Sequence, residues 1–175
     1  MSVFNTFNFL MEHPVNNGAK IRAIYRYLKW HVVSRLMRRP IVFDWISGSK
    51  LFVRAGEKGL TGNIYTGLHE FSHMGFLLHA LRSEDLFVDV GANSGSYTIL
   101  ASAVVGSQSF AFEPVPSTFE RLKNNINLNN LNNRVTAINK AVSDHEGSVA
   151  LTSDDDTMNC VTLSNGASSG IRGGG

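Results

Sequence analysis

The sequence predicts an α/β fold built on a parallel sheet, preceded by a basic helix and a β-hairpin. Two observations carry that prediction. From Leu86 onward, short apolar runs alternate with helical patterns in the order strand–helix–strand–helix–strand, and that order requires right-handed crossovers between parallel strands. A glycine turn, Gly91-Ala92-Asn93-Ser94-Gly95, joins the first strand to its helix.

The elements follow in chain order. Residues 18–39, "GAKIRAIYRYLKWHVVSRLMRR", repeat at helical spacing. Ile21, Ile24, Tyr25, Leu28, Val32 and Leu36 form one face, and Arg22, Arg26 and Lys29 form another. Pro40 stops the helix, because the residue before a proline avoids the α region. "IVFDWI" and "KLFVRA", separated by Ser47-Gly48-Ser49, read as a hairpin. Gly56, Gly59 and Gly62 read as a loop, and "GLHEFSHMGFLLHAL" as one helix ending near Arg82. "LFVDV", "SQSFAFE" and "RVTAINKAVS" are the three strands. "SYTILASAVV" and "STFERLKNNINLNNL" are the helices between them, the second opened by a capping box of Ser117 and Glu120.

Composition narrows the class. A chain of 175 residues with 43% hydrophobic and 17% charged residues supports one domain with a core and excludes wholesale disorder. Cys160 is its one cysteine, so no internal disulfide forms and a reducing compartment is expected. The first residues lack the basic region and apolar stretch of a signal peptide. No run reaches the roughly 18–20 apolar residues of a membrane span. The expectation is a soluble, cytoplasmic protein.

Net charge is only +2, yet ten of the sixteen Lys and Arg lie in residues 1–60, opposed there by Glu12, Asp44 and Glu57. Such asymmetry suits an anionic surface or ligand. The expectation for the helix at 18–39 is a solvated basic face on a helix packed against its own domain, with weak membrane-surface contact as the alternative.

The glycine turn carries the chemistry. A turn of this kind offers backbone N–H groups and a helix N-terminus to a nucleotide-like ligand at the carboxyl edge of the sheet. Glu113 ends the second strand, where a carboxylate can accept ribose hydroxyls. A dinucleotide needs G-x-G-x-x-G, and here position 93 is Asn and position 96 is Ser. S-adenosylmethionine has no pyrophosphate to approach, and Asp89 and Asn93 suit its ammonium and carboxylate groups. The cofactor-binding expectation therefore falls on Asp89, Gly91, Ala92, Asn93, Ser94, Gly95 and Glu113.

Three segments, "FVDVGANSGSYTILAS", "AFEPVPSTFERLKNNINLN" and "NKAVSDHEG", resemble the FkbM family of S-adenosylmethionine-dependent methyltransferases. The resemblance extends back through "KLFVRAGEKGLTGNIYTGLHEF" and covers roughly residues 40–150. It implies a Rossmann-like class I methyltransferase fold, S-adenosylmethionine as cofactor, and methyl transfer to a hydroxyl on a sugar, glycan or natural product. It also implies that Ala141 meets the adenine. No nucleic-acid partner is implied.

The family pattern continues with further strands that this sequence does not supply. The expectation is an incomplete fold of strands three, two and one, from a truncated or frame-shifted chain whose activity is in doubt. Residues 1–40 would form the basic N-terminal segment, 41–152 the partial methyltransferase domain, and 153–175 a disordered or non-native tail. An unpaired edge on the first strand invites self-association.

Two other readings compete. His69-Glu70-x-x-His73 has the spacing of a zinc hydrolase, with His79 at the offset of a third ligand. Phe76 stands where that motif needs glycine, and on one continuous helix His79 would point away from the pair, so no metal site is expected. Within the methyltransferase reading, Glu70 or Tyr65 approaches the cofactor's methionine end. The second competing reading is a non-catalytic nucleotide-binding or interaction module.

Overall fold

The computed structural model describes residues 3–37, 39–54, 57–144, 150–151 and 161–162. The chain opens with α1 (Val3–Glu12) and α2 (Lys20–Leu36). The buried amide of Asn16 joins them, donating to the Leu10 carbonyl at 3.0 Å and accepting from Arg26 at 3.0 Å. Strands β1 (Ile41–Asp44) and β2 (Lys50–Val53) pair antiparallel as the expected hairpin. Helices α3 (Lys58–Thr66) and α4 (Phe71–Ala80) follow.

Next comes the sheet. Strands β3 (Leu86–Val90), β4 (Gln108–Phe112) and β5 (Val135–Ile138) are parallel and lie in the order β3-β4-β5. Between them run α5 (Ser96–Ile99), which continues as a π-helix over Leu100–Val105, and α6 (Pro116–Leu128). Among the described residues β3 pairs only with β4 and so forms an edge. Two-residue strands β6 (Ala150–Leu151) and β7 (Val161–Thr162) pair antiparallel. The rest of the expected tail, with Cys160, lies outside the described residues.

One core joins these parts. Leu10, Ala23 and Trp30 from the N-terminal helices pack in the same cluster as Leu51, Leu60, Ile99, Leu122 and Ile126. A second cluster sets Met74 and Leu77 of α4 against Leu100 and Ala101 of the π-helix. The sheet buries one face only: Asp89, Ser109 and Ala111 are buried, while Leu86, Val88, Val90 and Phe110 are exposed.

The structure corrects five local expectations. The loop at Gly59 and Gly62 is helical and belongs to α3. The helix expected over residues 67–81 starts four residues late: Gly67 takes φ 86° as the C-cap of α3, residues 67–70 form a turn, and α4 begins at Phe71. Helix α6 begins one residue earlier than its proposed cap: Pro116 occupies the first turn, where its fixed φ suits helix and its missing N–H costs nothing, and Val115 is the N-cap. The third strand is shorter than "RVTAINKAVS". Most consequentially, the apolar face assigned to α2 points outward, and its core contacts come from Ala23 and Trp30 instead.

Candidate functional site

The glycine turn is fastened from below. The Gly91 and Ala92 N–H groups both donate to the Phe112 carbonyl at 2.9 Å. The Asn93 N–H donates to Oε2 of Glu113 at 2.9 Å, and the Val115 N–H donates to Oε1 at 2.9 Å. These turn donors therefore face the sheet rather than a ligand, which corrects the sequence expectation. The reason is geometric: a turn leaving an edge strand satisfies its donors on the neighbouring strand.

Backbone conformation explains the residue types. Gly91 has φ 79° and Gly95 φ 91°, values that favour glycine. Asn93 has φ 51°, tolerated because its short amide bonds locally. Its Oδ1 accepts from the Ser94 N–H at 2.6 Å and the Ser94 hydroxyl at 3.1 Å. Below the turn, the fully buried Asn125 amide donates to the Ser94 carbonyl at 2.8 Å and accepts from the Phe52 N–H at 2.6 Å. One side chain thus ties turn, α6 and hairpin together.

Gly95 is also sterically fixed, since a Cβ there would lie 2.6 Å from the Leu122 Cδ1 atom. Gly95→Ala should therefore destabilise by about 2–3 kcal/mol, from overpacking plus a left-handed alanine. Urea unfolding would register the loss as a lower midpoint with an unchanged slope.

Above the turn lies a cavity of about 830 Å³. Its wall includes Asp89, Gly91, Ala92, Asn93 and Ser94 from the predicted set, together with Glu70 and Tyr65. Gly95 and Glu113 stand behind the turn and do not line the cavity, and Ala141 is exposed and lies apart from it. The Asp89 carboxylate is buried and accepts from the Thr98 hydroxyl at 2.5 Å. Burial raises its pKa above the ordinary carboxylate value, opposed by the Thr98 hydrogen bonds and reinforced by the Glu113 charge.

Glu70 stands at the N-cap position of α4, and its carboxylate accepts from the Tyr97 hydroxyl at 2.6 Å. Burial and Glu70 together push the Tyr97 phenol above its usual range, so it stays a donor at neutral pH. His69 lies just before that helix, so it does not share a helix face with His73 on the next turn. The proposed zinc spacing is thus split by the start of α4 at Phe71, which leaves His69 in the preceding turn and His73 on the helix. Nor is His69 an exposed helix residue: it is half-buried in the cavity wall.

Sequence reasoning missed what His69 does. A Cβ at Gly62 would collide with its imidazole at 2.4 Å, so the glycine makes room for the ring. Its Nδ1 is buried without a partner, and His13 reaches its carbonyl at 3.3 Å. Burial lowers the His69 pKa, with Glu70 opposing and His13 assisting. Trp30 and His31 of α2 and Phe9 of α1 complete the aromatic side of the cavity. No local pattern announces these residues, because only the packing of the N-terminal helices brings them to the turn.

No family model matches the sequence, and no curated protein matches it. Among solved structures, the chain is similar to TYW2 of Pyrococcus horikoshii in complex with MeSAdo. That likeness has 23% identity and a TM-score of 0.50, over 63% of this chain and 39% of the other. A second likeness is to the tRNA m1G37 methyltransferase of Methanocaldococcus jannaschii, with 21% identity and a TM-score of 0.47, over 62% of this chain and 32% of the other. The chain spans well under half the length of either structure. With its parallel three-stranded sheet and glycine turn, the described chain has the Rossmann-like fold of class I methyltransferases.

Proposed function

We propose that this chain is the cofactor-binding part of an S-adenosylmethionine-dependent methyltransferase of the FkbM type, acting on a hydroxyl acceptor. The observation that carries the reading is Asp89, a buried carboxylate in the wall of a cavity above a glycine turn. Burial makes the ionised form of such a group costly, and the ammonium of S-adenosylmethionine would offset that cost. The cavity volume falls within the ordinary range for cofactor sites.

Asp89 and Asn93 would hold the amino-acid end, with Glu70 and its Tyr97 partner close by. Glu113 spends one oxygen on the turn at Asn93 and the other on Val115 at the start of α6. Buried behind the turn, Glu113 would shape the ribose subsite by holding the Asn93 backbone rather than by lining the cavity. The family resemblance implies that Ala141 flanks the adenine, which would then extend beyond the cavity wall. When bound, the cofactor supplies a methyl group on a positively charged sulfur.

The chain's own residues then orient the acceptor, exclude water and remove a proton. His69 is our candidate for the proton acceptor. Its lowered pKa keeps the imidazole neutral through the neutral range. Activity should therefore fall as pH drops through that depressed value. Stability follows the same sign: with the folded pKa below the unfolded one, it falls as pH drops from about 6.5 towards the folded value. His69→Asn should lower kcat about 100-fold, remove the acid limb and leave cofactor affinity in place.

The test is methyl transfer from S-adenosylmethionine carrying a tritiated methyl group. Label entering sugar or polyketide hydroxyls supports the reading; label entering RNA alone would refute the acceptor class.

A further inference from the structure

Among the described residues, helix α2 presents an apolar ridge that nothing covers. Ile21, Tyr25, Leu28, Val32 and Leu36 are between 56% and 85% exposed. At about 100° per residue they share a sector roughly 80° wide. Ala23 and Trp30, the helix's buried residues, lie on the opposite side. The ridge therefore points directly away from the protein's own core.

Its flanks are cationic. By the same helical phase, Arg22 and Lys29 lie along one side of the ridge, and Lys20 and Arg35 along the other; all four are exposed. No acidic residue occurs between Glu12 and Asp44. The helix thus has a narrow apolar crest with a basic row on each side.

We propose that α2 is an interfacial helix that seats this protein on an anionic lipid bilayer, parallel to its surface. The crest enters the boundary between headgroups and acyl chains, while the Lys and Arg stems extend to the phosphates. Seventeen residues of mixed character suit that role, and no helix among the described residues is long and apolar enough to cross a membrane. A second copy fits less well, since crest-to-crest pairing would set basic rows against basic rows. Nucleic acid fits less well too, because the centre of the footprint is apolar.

Flotation of the full chain with vesicles tests this. Vesicles of phosphatidylcholine with phosphatidylserine should capture the protein, vesicles of phosphatidylcholine alone should not, and added salt should release it. Arg22→Gln and Lys29→Gln should each weaken capture about fivefold. Leu28→Gln with Val32→Gln should weaken it at least about tenfold. All four positions are exposed, so circular dichroism should be unchanged. Equal capture by both vesicle types would overturn the proposal, as would no capture by either. A self-associated protein that Leu28→Gln converts to monomer without any vesicle binding would overturn it as well.

Discussion

Asn125→Ala should cost about 2–4 kcal/mol of stability and loosen the glycine turn with it. The amide is fully buried and makes two long-range bonds, one from the Phe52 N–H and one to the Ser94 carbonyl. Alanine leaves a backbone donor and a backbone acceptor without partners, and each such orphan costs roughly 1–3 kcal/mol when water cannot reach it. Denaturant titration would show the drop. Asn125→Asp separates the two bonds, because a carboxylate still accepts from Phe52 but cannot donate to Ser94. Equal stability of wild type and Asn125→Ala would mean that the turn is not supported from below.

Asp89→Asn should weaken S-adenosylmethionine binding about 100-fold, the worth of one charge-assisted contact in a buried site. The Asn side chain can still accept from Thr98, so the fold should survive. The free protein should even gain stability at neutral pH. Asp89 titrates above its unfolded value, so its contribution is present below that value and is lost as pH rises through the folded pKa. Removing the carboxylate removes that penalty. Ligand binding has the opposite slope: an ammonium favours the ionised carboxylate, so affinity should climb with pH through the Asp89 pKa and then level. In Asp89→Asn the profile should be flat, which calorimetry across the acid range would show.

The sheet was legible in the sequence because its strands are short apolar runs between turn signals. Leu86–Val90 matches its expected bounds, and the order of the three strands follows from the alternation. The turn was legible because glycine and asparagine are the residues that accept its positive φ values.

Other features depend on contacts that no local pattern encodes. Periodicity finds the apolar face of α2 but does not say where it points. Ala23 and Trp30 dock instead, where a small residue permits close approach and a large one fills space. The turn over residues 67–70 was hidden at the start of a convincing helical pattern, and it is stabilised from afar by the Trp45 indole, which donates to the Gly67 carbonyl at 2.5 Å. His69 looked like half of a metal pair for the same reason. Asn125 sits in an asparagine-rich helix end; helical phase sets it on the buried face with Leu122 and Ile126, and Asn124 on the exposed one, but nothing local shows its bonds to Phe52 and Ser94.

The central claim is that the cavity above Gly91–Gly95 binds S-adenosylmethionine through Asp89. Isothermal titration of the cofactor into the full chain tests it most directly. The expected result is one-site binding that weakens about 100-fold in Asp89→Asn and persists in His69→Asn. A folded chain that releases no heat with the cofactor, or binds it equally well without the Asp89 carboxylate, would contradict the account.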